Sequence, residues 1–192
     1  MDSPLESEVK HAGRLIYVIG PSGAGKDSVL REVKAALGDR VKVMRRYITR
    51  KDNEAGEGHY YVTDDEFERM KKSGMFSLNW ESHGLKYGVG KEMEDELYLG
   101  NTVIVNGSRE YLKKASSLFQ RMEVIEIMAE LPIIKRRLLT RKREAKEEIE
   151  ERIERGWKRF EIPEHVDYTK IDNSGNLETA VNKIIQLLKP FK

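Results

Sequence analysis

The apolar run Leu15-Ile-Tyr-Val-Ile19 leads directly into Gly20-Pro-Ser-Gly-Ala-Gly-Lys26-Asp27. Few folds accommodate that order. A strand, a glycine-rich turn and then a helix bring backbone N–H groups and a helix N-terminus to one point, where they cradle phosphate oxygens. The helix follows as required. Val29, Leu30, Val33, Ala36 and Leu37 fall on one face, and Gly38 stops it. The segment therefore predicts a site for ATP phosphates built from Gly20, Pro21, Ser22, Gly23, Ala24 and Gly25, with Lys26 reaching the β- and γ-phosphates. The residue after the lysine, usually a Ser or Thr that binds Mg²⁺, is here Asp27, followed by Ser28. A carboxylate is a competent Mg²⁺ ligand, directly or through water.

The rest of the chain alternates strands with helices, the pattern of a parallel sheet covered on both faces. Strands are expected at 14–19, 41–49, 103–105, 122–128 and 168–172. Helices are expected at 26–37, 91–99, 132–142 and 146–160, after the turn at 106–108, and over the C-terminal run carrying Leu177, Val181, Ile184 and Leu188. Thr63-Asp-Asp-Glu66 is a capping box opening a helix that Gly74 closes. Residues 75–90 read as short strands and turns. Because 45–90 interrupts the alternation, it is expected to be an inserted acceptor-binding lobe. The core then comprises 13–44, 91–131 and 161–192, the lid 132–160, and the flexible tail 1–12. At 192 residues this is a single domain.

Charge narrows the partners. With a formal net charge of +2 the chain is no polycation, so neither nucleic acid nor a membrane surface is an expected partner. No run approaches the ~18 apolar residues of a membrane span. The polar, acidic stretch 1–12 lacks the order of a signal peptide, and a cytoplasmic enzyme is expected. Basic residues concentrate between Ile133 and Arg159, where eleven face six acidic ones. Helical spacing aligns Arg137 with Arg141 and Arg152 with Arg155. Such faces can close on a triphosphate and stabilise the transferring group, and a solvated helical hairpin has the same pattern.

The phosphate loop, Tyr87-Gly88, and Arg137-Leu-Leu-Thr-Arg141 followed by Arg152 resemble the guanylate kinase superfamily over residues 14–189. The resemblance implies an α/β P-loop NTPase fold with an inserted acceptor lobe and a helical lid. In that superfamily guanine is read by a Ser four residues before an Arg and by a Glu before a Trp. Here those positions hold Arg46, before Arg50, and Asn79, before Trp80. The acidic motif after the buried strand becomes Asn106-Gly107-Ser108-Arg109, and the proline expected after Arg50 is absent. With Arg46-Tyr-Ile-Thr-Arg50 and Tyr87-Gly-Val-Gly90, these motifs are similar to the ribose 1,5-bisphosphate phosphokinase branch. That branch implies ATP-dependent formation of 5-phosphoribosyl 1-diphosphate in phosphonate metabolism.

Charge supports that acceptor. A sugar bisphosphate has two phosphates and no base, so its site should lose carboxylates and gain cations. The expected acceptor residues are Arg46, Arg50, His59, Asn79, Tyr87, Asn106, Ser108 and Arg109. His59 falls where the superfamily places a phosphate-binding tyrosine, and a structural or capping contact is the other reading. Asn173, after the last strand, is expected near adenine. Lys26, Arg137, Arg141 and Arg152 are the expected catalytic cations, and Asp27 the metal ligand. Two other readings stay open on the residues: a nucleoside monophosphate kinase with an unusual base pocket, and a non-catalytic binding module of the same fold.

Overall fold

In the computed structural model, residues 12–51, 58–119, 121–140, 150, 153–154 and 160–189 are described. The apolar run forms β1 (Arg14–Ile19), and the phosphate loop leads into α1 (Lys26–Leu37). The chain continues through β2 (Val41–Val43), β3 (Arg46–Ile48), β4 (Tyr60–Tyr61) and α2 (Asp64–Lys72). A hairpin of β5 (Phe76–Ser82) and β6 (Leu85–Gly90) precedes α3 (Glu92–Tyr98), β7 (Thr102–Asn106) and α4 (Leu112–Leu118). The C-terminal third holds β8 (Met122–Met128), α5 (Leu131–Thr140), β9 (Asp167–Asp172) and α6 (Leu177–Leu187).

Five strands form a parallel sheet in the order β2-β7-β1-β8-β9. Successive side chains of a strand point to opposite faces, and β1 is apolar on both because both are covered. Leu15, Tyr17 and Ile19 pack with Val103, Val105, Val124, Trp80, Met93 and Leu112. Ile16 and Val18 pack with Val29, Leu30, Val33, Val181 and Ile184 from α1 and α6. Burying each such aliphatic side chain contributes roughly 1.5–3 kcal/mol relative to exposure. The expected α/β fold is the observed one. Among the described residues no helix is long and apolar enough to cross a membrane.

A second sheet, in the order β4-β3-β6-β5, takes its strands from 46–90. Here the structure corrects the sequence reading. The strand expected over 41–49 is two strands: β2 pairs β7 in the first sheet, whereas β3 pairs β4 and β6 in the second. Met44 and Arg45 carry the chain across. Residues 75–90 form one long antiparallel hairpin closed by His83-Gly84, both at positive φ (54° and 70°), as a tight turn matched to strand twist requires. The last strand starts at Asp167, one residue earlier than expected. In the segment expected as a lid, α5 covers 131–140 and residues 150 and 153–154 are helical. Of the helix expected at 146–160, residues 146–149, 151–152 (with Arg152) and 155–159 lie outside the described residues, as do Arg141 and residues 1–11 of the tail, while Phe160, its expected last residue, is not helical.

Candidate active site

The phosphate loop sits at the C-terminal ends of β1, β7 and β8, the edge of a parallel sheet where ligands bind. Its backbone needs its glycines. Gly20 has φ +147°, and a Cβ there would lie 2.1 Å from the Ile127 carbonyl oxygen. Gly25, left-handed at φ +87°, is the N-cap of α1, and a Cβ there would meet Asn173 Nδ2 at 2.6 Å. Lys26 Nζ donates to the carbonyls of Gly20 (2.7 Å) and Pro21 (3.0 Å), so the ammonium lies across the loop it serves.

Two side chains clamp the loop from one side. Asn173 donates from Nδ2 to the Ala24 carbonyl at 2.8 Å. Arg137, on α5, donates from Nη1 to the same oxygen at 3.3 Å and from Nη2 to the Asn173 carbonyl at 2.9 Å. Beside them opens a cleft of about 390 Å³ whose walls include Gly25, Ser28, Arg136, Arg137, Thr140 and Asn173. The buried Asn173 Oδ1 has no hydrogen-bond partner among the described residues.

On the other side, Asp27 Oδ1 accepts from Asn106 Nδ2 at 2.6 Å and from Arg46 Nη2 at 3.2 Å. Residues from α1, β3 and the end of β7 thus meet on one carboxylate oxygen. Asn106 is buried, and its Oδ1 also has no partner among the described residues. The Arg46 guanidinium lies 5.9 Å from the Tyr87 ring centroid. Tyr87 stacks on Trp80 at 5.5 Å with 2° between the planes, and Trp80 contacts Tyr111 at 5.7 Å. Such pairs contribute about 0.5–1.5 kcal/mol beyond area burial and stiffen this wall. Asn79 lies on β5 opposite Gly88, and its backbone hydrogen-bonds Tyr111.

Arg109 is only 13% exposed, with Nε 3.8 Å from Glu126 Oε1 and its guanidinium 5.3 Å from the Phe160 ring centroid. Burial pulls the guanidinium below its ordinary pKa, and the nearby Glu126 carboxylate pushes back. Glu126 is itself buried and accepts a 2.5 Å hydrogen bond from the Tyr168 hydroxyl. Burial, then that partnership, raises the Tyr168 pKa. Ser108 is engaged through its backbone by the buried Tyr17 hydroxyl. His59 is buried with Nε2 3.2 Å from the Arg50 carbonyl, joining the two ends of the 50–59 segment. Sequence reasoning missed Glu126, Tyr168 and Tyr17. The one available signal was an acidic residue inside the apolar strand Val124-Ile-Glu-Ile-Met128.

The sequence profile of guanylate kinases matches residues 12–190. The chain belongs to the guanylate kinase family. Within it, this family member is 42% identical over 179 residues to the ribose 1,5-bisphosphate phosphokinase of Burkholderia pseudomallei, covering 93% of this chain and 96% of that protein. It is 41% identical over 178 residues to the enzyme of the same name from Thiobacillus denitrificans, covering 92% and 93%. A bifunctional ribose 1,5-bisphosphokinase-thymidine phosphorylase of Cupriavidus necator is 35% identical over 94% of this chain and 30% of its own length. The guanylate kinase of Anaplasma phagocytophilum superposes with a TM-score of 0.68, at 21% identity over 92% of this chain and 84% of its own, a likeness of fold.

Proposed function

We propose that this guanylate kinase family member is an ATP-dependent ribose 1,5-bisphosphate phosphokinase, yielding 5-phosphoribosyl 1-diphosphate and ADP. The observation that carries the reading is the meeting of Arg46 and Asn106 on Asp27 beside the phosphate loop. On the acceptor side, the loop is thus flanked by a guanidinium suited to a phosphate, and Asn79 leaves no carboxylate at its position to accept from the N–H groups of guanine. The names of the relatives at 41–42% identity agree with it.

In this reading an oxygen of the sugar 1-phosphate attacks the γ-phosphorus of ATP in line. A new P–O bond forms, the bond from the γ-phosphorus to the bridging oxygen breaks, and ADP leaves with that oxygen. The attacking oxygen is already ionised near neutral pH, so no general base is required, and the protein contributes position and charge. Lys26 and the amides of 20–26 hold the β- and γ-phosphates. Ser28 and Asn173 belong to the nucleotide side, with Asn173 near adenine. Arg137, with Arg141 and Arg152 from the lid 132–160, neutralises the transferring group. Arg46, Arg50, His59, Asn79, Tyr87, Asn106, Ser108 and Arg109 form the acceptor side, most of them in the lobe 45–90.

Asp27 fits Mg²⁺. Its side chain is 50% exposed in the first turn of α1, and Mg²⁺ favours one or two carboxylates together with substrate phosphate oxygens. Bound there, the ion would screen the charge of the triphosphate. Asn106, donating to the same carboxylate, holds it in place.

The test is ADP release from Mg·ATP with ribose 1,5-bisphosphate and, in parallel, with guanosine monophosphate. Turnover of the sugar bisphosphate alone is expected. Turnover of guanosine monophosphate alone overturns the reading.

A further inference from the structure

Tyr17 stands in the middle of β1, fully buried, three residues before the phosphate loop begins. Its hydroxyl accepts from the Ser108 N–H at 3.0 Å and donates to the Ser108 carbonyl at 3.2 Å. One hydroxyl thereby serves both backbone groups of one residue, which its donor and acceptor capacity allows. The preceding residue is held as well, since the Gly107 N–H donates to the Val18 carbonyl at 2.8 Å. The fit is close: a Cβ on Gly107 would come 2.0 Å from Cζ of the Tyr17 ring. Only a glycine at 107 lets the turn close onto the ring.

A buried tyrosine satisfies its hydroxyl somewhere in most cores. The difference here lies in what the pinned turn carries. Asn106, immediately before it, donates to Asp27. Arg109, immediately after it, reaches across the sheet edge towards Glu126. Burial raises the Tyr17 pKa, so the hydroxyl keeps the proton it donates throughout the neutral range.

We propose that Tyr17 is a positioning residue for phosphoryl transfer, setting the stance of Asn106 and Arg109 through Ser108 and thereby the affinity for the phosphorylated acceptor. The inference rests on the reading of 106–109 as part of the acceptor site. Donor and acceptor sites then share one strand: β1 ends in the loop that takes ATP, and its central side chain bolts down the turn that takes the acceptor.

Tyr17→Phe removes one oxygen and keeps the ring. Its expected effect is a rise of about tenfold in the acceptor KM, the loss of one to two net hydrogen bonds. The Kd of a non-hydrolysable ATP analogue should not change. A core group without a positioning role would lower the unfolding midpoint and leave the acceptor KM in place, which overturns the proposal. Gly107→Ala disturbs the same contact from the turn side and should give the same split. In an Asn106→Ala background the Tyr17→Phe effect on acceptor KM should shrink, because coupled residues are not additive. Should Tyr17→Phe and Gly107→Ala both fail to fold, the contact is structural and the proposal falls. Should the wild-type chain use guanosine monophosphate and not the sugar bisphosphate, the functional reading fails. The positioning role is then decided by the same split measured with that nucleotide.

Discussion

Asp27 is the carboxylate on which β3 and the end of β7 converge at the first turn of α1, with Arg46 and Asn106 on one oxygen. Replacing it by Asn removes the charge that faces the Arg46 guanidinium and that, in the proposed reading, would hold Mg²⁺. We expect Asp27→Asn to move the Mg²⁺ concentration giving half-maximal rate upward, with the folded state retained, as a metal titration of turnover would show. Lys26 has a different task, and Lys26→Ala should lower kcat by about 10²–10³-fold, the usual loss for one donor aimed at developing charge. Tyr17 and Tyr168 make a pH prediction. Burial raises both pKa values in the folded chain, whereas an unfolded tyrosine titrates near pH 10. The folded state therefore binds more protons above that pH, and stability is lost as pH rises. Denaturant unfolding should be insensitive to these two groups up to about pH 10 and weaken above it. Tyr17→Phe should remove part of that alkaline decline.

Short elements here owe their ends to local chemistry. Thr63 Oγ1 accepts from the Glu66 N–H at 3.2 Å while Glu66 Oε2 accepts from the Thr63 N–H at 2.7 Å, the reciprocal capping box that Thr63-Asp-Asp-Glu66 announces. Thr63→Ala should lower the unfolding midpoint by about 2–4 °C without altering the acceptor KM, measured by thermal melts beside kinetics. That cap was legible because all its partners lie within four residues. The split between β2 and β3 was not. Residues 41–49 have a strand-like composition throughout, and nothing in their periodicity records that β2 finds β7 while β3 finds β6. Similarly, a helix over 132–142 carrying Arg137 and Arg141 on one face was expected, but the clamp of α5 on the loop needed Arg137 to meet Ala24 and Asn173, 113 and 36 residues away.

Two sheets with the phosphate loop between α1 and the strand ends make a molecule whose stability should respond to its substrate. Mg·ATP at a hundred times its Kd should stabilise the folded chain by about 2.7 kcal/mol, a rise of about 5–10 °C in the unfolding midpoint for a domain of this size. A chain without a working nucleotide site would show no shift. The residues that make this possible divide by the distance over which they are specified. The strand-loop-helix of 14–37, the capping box, the gain of cations at 46 and 109 and the loss of a carboxylate at 79 were all readable in order along the chain, because backbone geometry and charge at those positions depend on neighbours or on residue type alone. The contacts that turn those residues into a site were not. Arg46 meets Asp27 across 19 residues, Asn106 meets it across 79, and Tyr17 meets Ser108 across 91. Their partners are chosen by strand order and register, which depend on how buried surfaces from the whole chain pack together. Hence the phosphate loop could be named from eight letters, while Tyr17 became more than a core tyrosine only once β7 was laid beside β1.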